Sequence, residues 1–408
     1  MSNELLTGLR IVEGSAYVAA PLAGLTLAQL GAEVIRFDGL GGGLDYHRWP
    51  LSPNGESLFW QGLNRGKKSL EIDFRNSEGQ ELLTKLITAP GENSGIFLTN
   101  FPAKGWLSYE NLVKHRPDLI MVCLTGNFDG SSEVDYTVNP SFGFPLITGP
   151  ANQNEPVNSV MPTWDFILGL HAATAILAAV NKRIRTGEGE LINIALSDVA
   201  LASVGALGRL AQAYLGVTLK ADGNYLYGAF GKNFKTRDGQ MIMIVGLTPR
   251  QWESLINATS THEAIQKLEK TFKVSLNDEG NRYLFREEIA EVFETWFNTR
   301  DYLEVERLFI ENNVSWSRYL TLPQLLASDD RASTLNPIFS ISDEEGFGEI
   351  PIIASPIRAM NSSKFTKSKV AKLGADNEYI LNEVLKVSNT KIDELVKNGV
   401  LPNRNGKR

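Results

Sequence analysis

Strand and helix signals take turns along the first third of the chain, and that alternation constrains the fold more than any other feature. LRIVE (9–13) is a short apolar run, PLAGLTLAQLG (21–31) has helical spacing and stops at Gly31, and EVIRFD (33–38) is strand-like again. SLEIDF (69–74), helical SEGQELLTKLI (77–87) headed by Asn76 or Ser77, GIFLTNF (95–101), LSYENLVKHR (107–116) and DLIMVCLTG (118–126) continue the series. Strands separated by helices cannot pair as hairpins; they cross over and return parallel. The expected fold class is α/β, an open parallel sheet covered on both faces, with ligands beyond the carboxyl ends of its strands.

MPTWDFILGLHAATAILAAVNKR (161–183) then places one acid, Asp165, at the head of a helix with no further charge until Lys182. One reading is structural: Thr163 or Asp165 caps the helix by accepting an orphan backbone N–H, and the acid gains about 0.3–1 kcal/mol from the helix dipole. The other is chemical. The chain has no G-x-S-x-G elbow, no P-loop lysine motif and no pair of carboxylates within one short motif, which leaves Asp165 as the best single nucleophile candidate.

Composition narrows the function classes. A chain of 408 residues with 43% apolar and 21% charged residues has ample core and suggests two domains. Its net charge of −7 leaves no overall basic footprint for nucleic acid. A single cysteine, Cys123, excludes an internal disulfide and a multi-cysteine metal site, and reads as a core residue of its strand. The histidines His47, His115, His171 and His262 form no metal-binding spacing, so no metal is expected. The start MSNELLTGLRIVEG has no signal-peptide pattern, and the apolar run 166–180 is short for a membrane span. The expectation is a cytoplasmic protein without membrane or nucleic-acid partners.

Other stretches carry binding chemistry. GLGGG (39–43) follows a strand, where bare N–H groups can approach a phosphate, although a flexible turn explains it as well. NRGKK (64–68) offers Arg65, Lys67 and Lys68 to an anion, or is a solvated loop. TNFPAKGW (99–106) supplies an amide at Asn100, a stacking face at Phe101 and a charge at Lys104. The glycine-aromatic loop 223–231 reads as a lid whose Gly228 and Gly231 N–H groups can face an oxyanion, or as a linker between domains. Beyond it MIMIVGL (241–247), PRQWESLINAT (249–259), AIQKLEKTFKV (264–274) and REEIAEVFETWFNT (286–299) form a smaller unit. After about 330 come two strands around a polar turn and tail helices at 377–386 and 389–399. The expected boundaries are a large domain over 1–222, a small α+β domain over 223–328, and a return segment over 329–408 completing the large one.

In order along the chain, APLAGLTLAQLGAEVIRFD, NRGKKSLEIDF, LTNFPAKG and WDFILGLHAATAILAAVNKRIRTGEGELINIALSDVAL resemble the class III coenzyme A transferases. Asp165, Gly169, Arg185, Thr186, Gly187 and Gly189 fit that family's pattern. The resemblance implies a Rossmann-like domain plus a smaller one, in an interlocked homodimer. It implies Asp165 as the nucleophile, forming an aspartyl anhydride and an aspartyl-CoA thioester, with coenzyme A as part of the substrate and no tightly bound cofactor. By motif position it carries CoA contacts onto Tyr17, Val18, Asn64, Arg65, Gly66, Lys67, Asn100 and Phe101; Lys104 is added for its charge. Many members have a basic residue where this chain has Gly39, and another near Asp135. The wording GGGLDY and DYTVNP departs from most members and points to a branch that moves CoA between two carboxyls of one molecule. Transfer between two molecules is the alternative. A third is α-methylacyl-CoA racemase chemistry, whose branch carries a histidine in a GHDINY-like segment where this chain reads DYTVNP.

Overall fold

A computed structural model describes residues 4–151, 155–359 and 368–403. The chain divides into two compact units: Met1–Phe142 with Ser159–Val217 and Asp330–Arg408, and Gly143–Asn158 with Thr218–Asp329. Residues 143–158, read from sequence as part of the large domain, group with the second unit. A short helix, Phe144–Ile147, gives them no strand with which to join the sheet.

The first unit is built on six parallel strands: β1 (Arg10–Gly14), β2 (Glu33–Asp38), β3 (Lys68–Glu71), β4 (Ile96–Thr99), β5 (Ile120–Thr125) and β6 (Glu190–Ala195). Their order is β3-β2-β1-β4-β5-β6. All five pairings are parallel. The chain leaves β1 in one direction across the sheet and β4 in the other, so the loops after these strands part and leave a crevice. The helices in chain order are α1 (Ala19–Gln29), α2 (Leu58–Asn64), α3 (Ser77–Ile87), α4 (Tyr109–Leu112), α5 (Asp135–Ser141), α6 (Phe144–Ile147) and α7 (Thr163–Thr186). One face of the sheet is closed by α3 and the returning tail, around Val12, Phe37, Phe97, Leu83, Met121, Ile392 and Leu395. On the other, α7 packs on α1, β5 and β6.

The return segment finishes the sheet. Asp376 and Asn377 accept the Ser69 and Glu71 N–H groups at 2.8 Å each, and Asn377 also donates to the Glu71 carbonyl at 2.8 Å. Side chains thereby satisfy the edge strand β3, which would otherwise expose unpaired backbone. A hairpin, β10 (Phe339–Glu344) with β11 (Gly348–Ile353), brings Glu344 to a buried ion pair with Arg65 at 3.0 Å. In the second unit, β7 (Phe230–Lys235), β8 (Met241–Gly246) and β9 (Ser315–Arg318) form an antiparallel sheet in the order β7-β8-β9. Helices pack on it through Trp252, Phe293, Trp296, Phe297 and Phe309.

Two expectations change here. By length and composition α7 suffices to cross a membrane, with 24 residues rather than the short apolar run read from sequence. It is also not buried all round: one face (Leu168, Ala172, Ile176, Ala179) is packed, while Leu170 and His171 are exposed. The helix read over 197–216 breaks into Leu196–Ala206 and Arg209–Tyr214, because Gly208 between them turns left-handed at φ 72°.

Candidate active site

Helices that alternate with parallel strands run antiparallel to them, so the N-termini of α1 and α7 lie at the carboxyl edge of the sheet. Gly169 sets how closely the two helices approach. A Cβ there would stand 2.7 Å from the Ala19 carbonyl oxygen and 3.1 Å from the Leu22 side chain. Asp165 precedes Gly169 by four residues, about 6 Å along the helix. It therefore lies level with the turn between β1 and α1, which contains Tyr17 and Val18.

The sequence reading left open which residue caps α7. The residue before the helix is Pro162, which supplies no side-chain bond, and Thr163 Oγ1 donates to the Met161 carbonyl at 3.2 Å. The cap comes from another element. Asp135, on α5 and 3% exposed, accepts the Trp164 N–H at 2.7 Å and the Asp165 N–H at 3.1 Å on one oxygen, Oδ2. Neither Thr163 nor Asp165 caps this helix. The Asp165 carboxylate makes no hydrogen bond or ion pair among the described residues. Its pKa is pushed up from the usual 3.8 to about 7, first by burial and then by the Asp135 charge.

A cleft of about 780 Å³ is lined by residues that follow β1, β2, β3 and β4, among them Ser15, Ala16, Gly43, Arg75, Phe101 and Lys104. Asp165, Tyr17, Val18 and Asn100 are not part of that lining. The glycine stretch thus lines the cleft through Gly39, Gly42 and Gly43, while the Gly41 N–H is held by Glu71 Oε1 at 2.7 Å. Phe101 stands edge-on to Phe37, ring centres 6.1 Å apart. Asn100, expected to meet a ligand, ties two loops: its amide accepts from the Ala16 N–H at 2.9 Å and donates to the Ala16 carbonyl at 2.8 Å.

The loop 64–67 is used inside the protein, which corrects the expectation that its side chains meet an anion. Asn64, Arg65 and Lys67 are 4–6% exposed. Lys67 donates to Glu13 and the Pro21 carbonyl at 2.8 Å each, and burial lowers its pKa to about 8. Arg65 donates to Glu344 and to the Ser368 carbonyl. Gly66, at φ 79°, makes the turn between them. The backbone of the loop is engaged too: the Gly66 N–H donates to the Lys369 carbonyl at 3.2 Å and the Lys67 N–H to the Asn64 carbonyl at 3.3 Å. Gly231 likewise departs from a free lid: it belongs to β7, and its carbonyl accepts the Leu226 N–H at 2.9 Å. Gly228, at φ 78°, remains in the turn before that strand.

Sequence reading missed Arg36. It is 1% exposed in the middle of β2, and donates to Asp38 (3.1 Å), Asp45 (2.8 Å), Asn64 (3.1 Å) and the Ser15 carbonyl (3.1 Å), with Trp60 stacked at 4.2 Å. One guanidinium thus fixes the loop after β1, the loop after β2 and the end of α2 beneath the cleft. A charge between apolar neighbours in EVIRFD was the available signal.

The second half of the motif is structural. Gly187 closes α7 at φ 73°, and a Cβ on Gly189 would stand 2.1 Å from the Leu119 carbonyl. Arg185 bonds Asn181 on its own helix at 3.1 Å, and Thr186 Oγ1 accepts the Glu188 N–H at 3.2 Å. These residues form the helix-to-strand turn at the end of α7 far from Asp165.

A six-stranded parallel sheet with a switch-point cleft, and a helix headed by an unpaired acid, define an α/β protein whose binding site lies beyond the carboxyl ends of its strands. Residues 6–377 match CoA-transferase family III, and the chain belongs to that family. It is 49% identical to 2-methylfumaryl-CoA isomerase of Chloroflexus aurantiacus over 97% of this chain and 98% of that one. A succinyl-CoA:mesaconate CoA-transferase of Haloarcula hispanica is 29% identical over 72% of this chain and 76% of its own. Among solved structures, a CAIB/BAIF family protein from Brucella suis superposes with a TM-score of 0.76 at 23% identity, over 94% of this chain and all of that one, and shares the fold.

Proposed function

We propose that this enzyme moves CoA from C1 to C4 of 2-methylfumaryl-CoA (mesaconyl-CoA), with Asp165 as the nucleophile. The observation that carries this reading is the free carboxylate of Asp165, whose helix is already capped by Asp135. A half-buried carboxylate without partners is poorly solvated and hence more nucleophilic than one in water. Close likeness over nearly the full length to an isomerase of that substrate supports the choice of acyl group.

The steps balance without a co-reactant. Asp165 attacks the C1 thioester carbonyl; the C–S bond breaks, leaving an acyl-aspartyl anhydride and CoA thiolate. The thiolate attacks the aspartyl carbonyl, giving aspartyl-CoA and the free dicarboxylate. The C4 carboxylate then attacks aspartyl-CoA, and the released thiolate takes the C4 acyl group from the second anhydride, restoring Asp165. The nucleotide end of CoA lies in the cleft, stacked at Phe101 and Trp106 and paired with Lys104 and Arg75. Arg75 was not foreseen from sequence. Tyr17 and Val18 flank the reacting end, and the loop 64–67 supports the floor. The protein acts as a homodimer in the cytoplasm, holding no cofactor apart from the CoA of its substrate.

Incubation with 2-methylfumaryl-CoA as sole substrate tests this. Conversion to the regioisomer is expected, with an aspartyl-CoA adduct on Asp165 by mass spectrometry. Asp165→Ala removes the adduct and lowers turnover at least about a thousand-fold. Full turnover by that variant would refute the assignment.

A further inference from the structure

We propose that Arg48 is the residue that holds the non-reacting carboxylate of the substrate, and that it selects dicarboxyl over monocarboxyl thioesters. The inference rests on the reading above. It begins from the loop 39–51, which follows β2 and lines the cleft through Gly39, Gly42, Gly43 and Leu44.

That loop is fastened to the β1 turn by Asp45, which is 1% exposed. Asp45 Oδ2 accepts the Tyr17 N–H at 3.0 Å, while Oδ1 accepts from Arg36 at 2.8 Å. Tyr17 is held at φ 67°, a left-handed conformation that a residue with a Cβ rarely adopts. Such strain persists only where the surroundings enforce it, and it gathers at functional sites. Here it aims the ring away from the sheet, 40% exposed.

Arg48 lies across that ring. Its backbone is pinned at both ends: the N–H donates to the Asp45 carbonyl at 3.2 Å, and the Arg48 carbonyl accepts from Ser57 Oγ at 2.5 Å. Its guanidinium carbon stands 5.3 Å from the centre of the Tyr17 ring and 5.3 Å from that of Phe59. Among the described residues this guanidinium has no carboxylate partner and no hydrogen bond. Arg48 is exposed and flanked by two aromatic rings, with its N–H groups available for two parallel bonds to a carboxylate.

Placement bears on this role. Tyr17 and Asp45 follow the cleft-lining residues Ala16 and Leu44 in the chain, and Asp165 lies level with the β1 turn through the Gly169 contact with Ala19. Neither Arg48 nor Asp165 lines the cleft itself. The role of Arg48 therefore requires the acyl end of the substrate to extend past Ala16 to the Tyr17 turn. During transfer the dicarboxylate is briefly free of CoA, and it must present its other end to aspartyl-CoA before it escapes. A fixed guanidinium can hold C4 in the first half of the reaction and C1 in the second.

The test uses Arg48→Gln and Arg48→Lys in the full-length enzyme. Labelled free CoA is exchanged into a monocarboxyl acyl-CoA, and isomerisation of 2-methylfumaryl-CoA is followed in the presence of labelled free 2-methylfumarate. Arg48→Gln is expected to leave monocarboxyl exchange within about two-fold. It should lower kcat/KM for the dicarboxyl substrate by roughly ten- to a hundred-fold, the scale of a lost charge-assisted pair, and increase the share of label entering product. Arg48→Lys should recover part of the loss. Equal losses on both substrates, or none on either, would overturn the role of Arg48. Absence of an aspartyl-CoA adduct when the unaltered enzyme turns over 2-methylfumaryl-CoA would instead count against Asp165.

Discussion

A carboxylate that attacks a thioester must be ionised and poorly hydrated at once, and Asp165 stands where these demands conflict. Its pKa of about 7 makes the attacking form scarce in acid. The kcat/KM profile should accordingly rise with pH through about 7. Asp135 contributes to that value by its charge and positions the helix head by its hydrogen bonds. Asp135→Asn keeps an acceptor for the Trp164 N–H and removes the charge, so the acid limb should move to lower pH. No movement would show that burial alone sets it. Asp135→Ala loses the cap as well and should destabilise the fold by about 1–2 kcal/mol. Stability carries the same signature. Because the folded pKa of Asp165 lies above 3.8, its favourable contribution is complete below pH 3.8 and is lost as pH rises through about 7. Asp165→Asn should therefore unfold at higher denaturant than the parent at pH 8, and the gap should close toward pH 4. Between those values it grows by at most about 1.4 kcal/mol per pH unit.

Among the elements, Gly169 is where packing and chemistry meet. Alanine there gains about 1 kcal/mol of helix propensity. Its Cβ, however, would sit 2.7 Å from a backbone oxygen on α1, and backbone cannot step aside as a flexible side chain can. Overpacking of this kind costs about 1–3 kcal/mol, so the net change is small in stability. Relief requires α7 to move, and Asp165 moves with it. Since a shift near 1 Å can cost about a hundred-fold in rate, kcat should fall far more than the melting temperature for Gly169→Ala. An unchanged kcat would separate the helix contact from catalysis. The elements that sequence revealed share a trait: their local signals agree with their packing. Helix Ser77–Ile87 has an Asn76 cap and one apolar face, and its bounds were read as they stand. Strand Glu33–Asp38 was read as well, but the meaning of Arg36 was not, because besides Asp38 its partners Ser15, Asp45 and Asn64 come from three other segments. Asp135–Ser141 was missed because its β-branched residues and Pro140 oppose helix. The residue that caps α7 therefore went unseen, since a cap supplied by a separate element leaves no mark at the helix it serves. Asp165 was legible for the opposite reason, standing alone in a long uncharged stretch.

For the whole molecule, one surface of the first unit bears on assembly. Leu170 and Ile184 on α7 are 52% and 70% exposed, and Leu207, Tyr214 and Leu215 shortly after β6 are 66%, 93% and 79% exposed. Large apolar side chains this exposed, on and just after successive helices, are what a surface covered by another chain would carry. Charge supports the same view, for α7 carries no charged side chain between Asp165 and Lys182 to keep its outer face in water. A second copy of this chain supplies a cover of matching character, because a two-fold contact places like apolar patches together. The homodimer proposed above should appear in sedimentation as a particle of twice the chain mass, and it should persist on dilution well below micromolar concentration. Leu170→Asp with Ile184→Asp sets two like charges on each side of that contact without touching Asp165, Asp135 or the cleft. The pair should shift the particle toward the monomer, with circular dichroism retained. A parent enzyme that sediments as a monomer at all concentrations would remove the second copy as the cover.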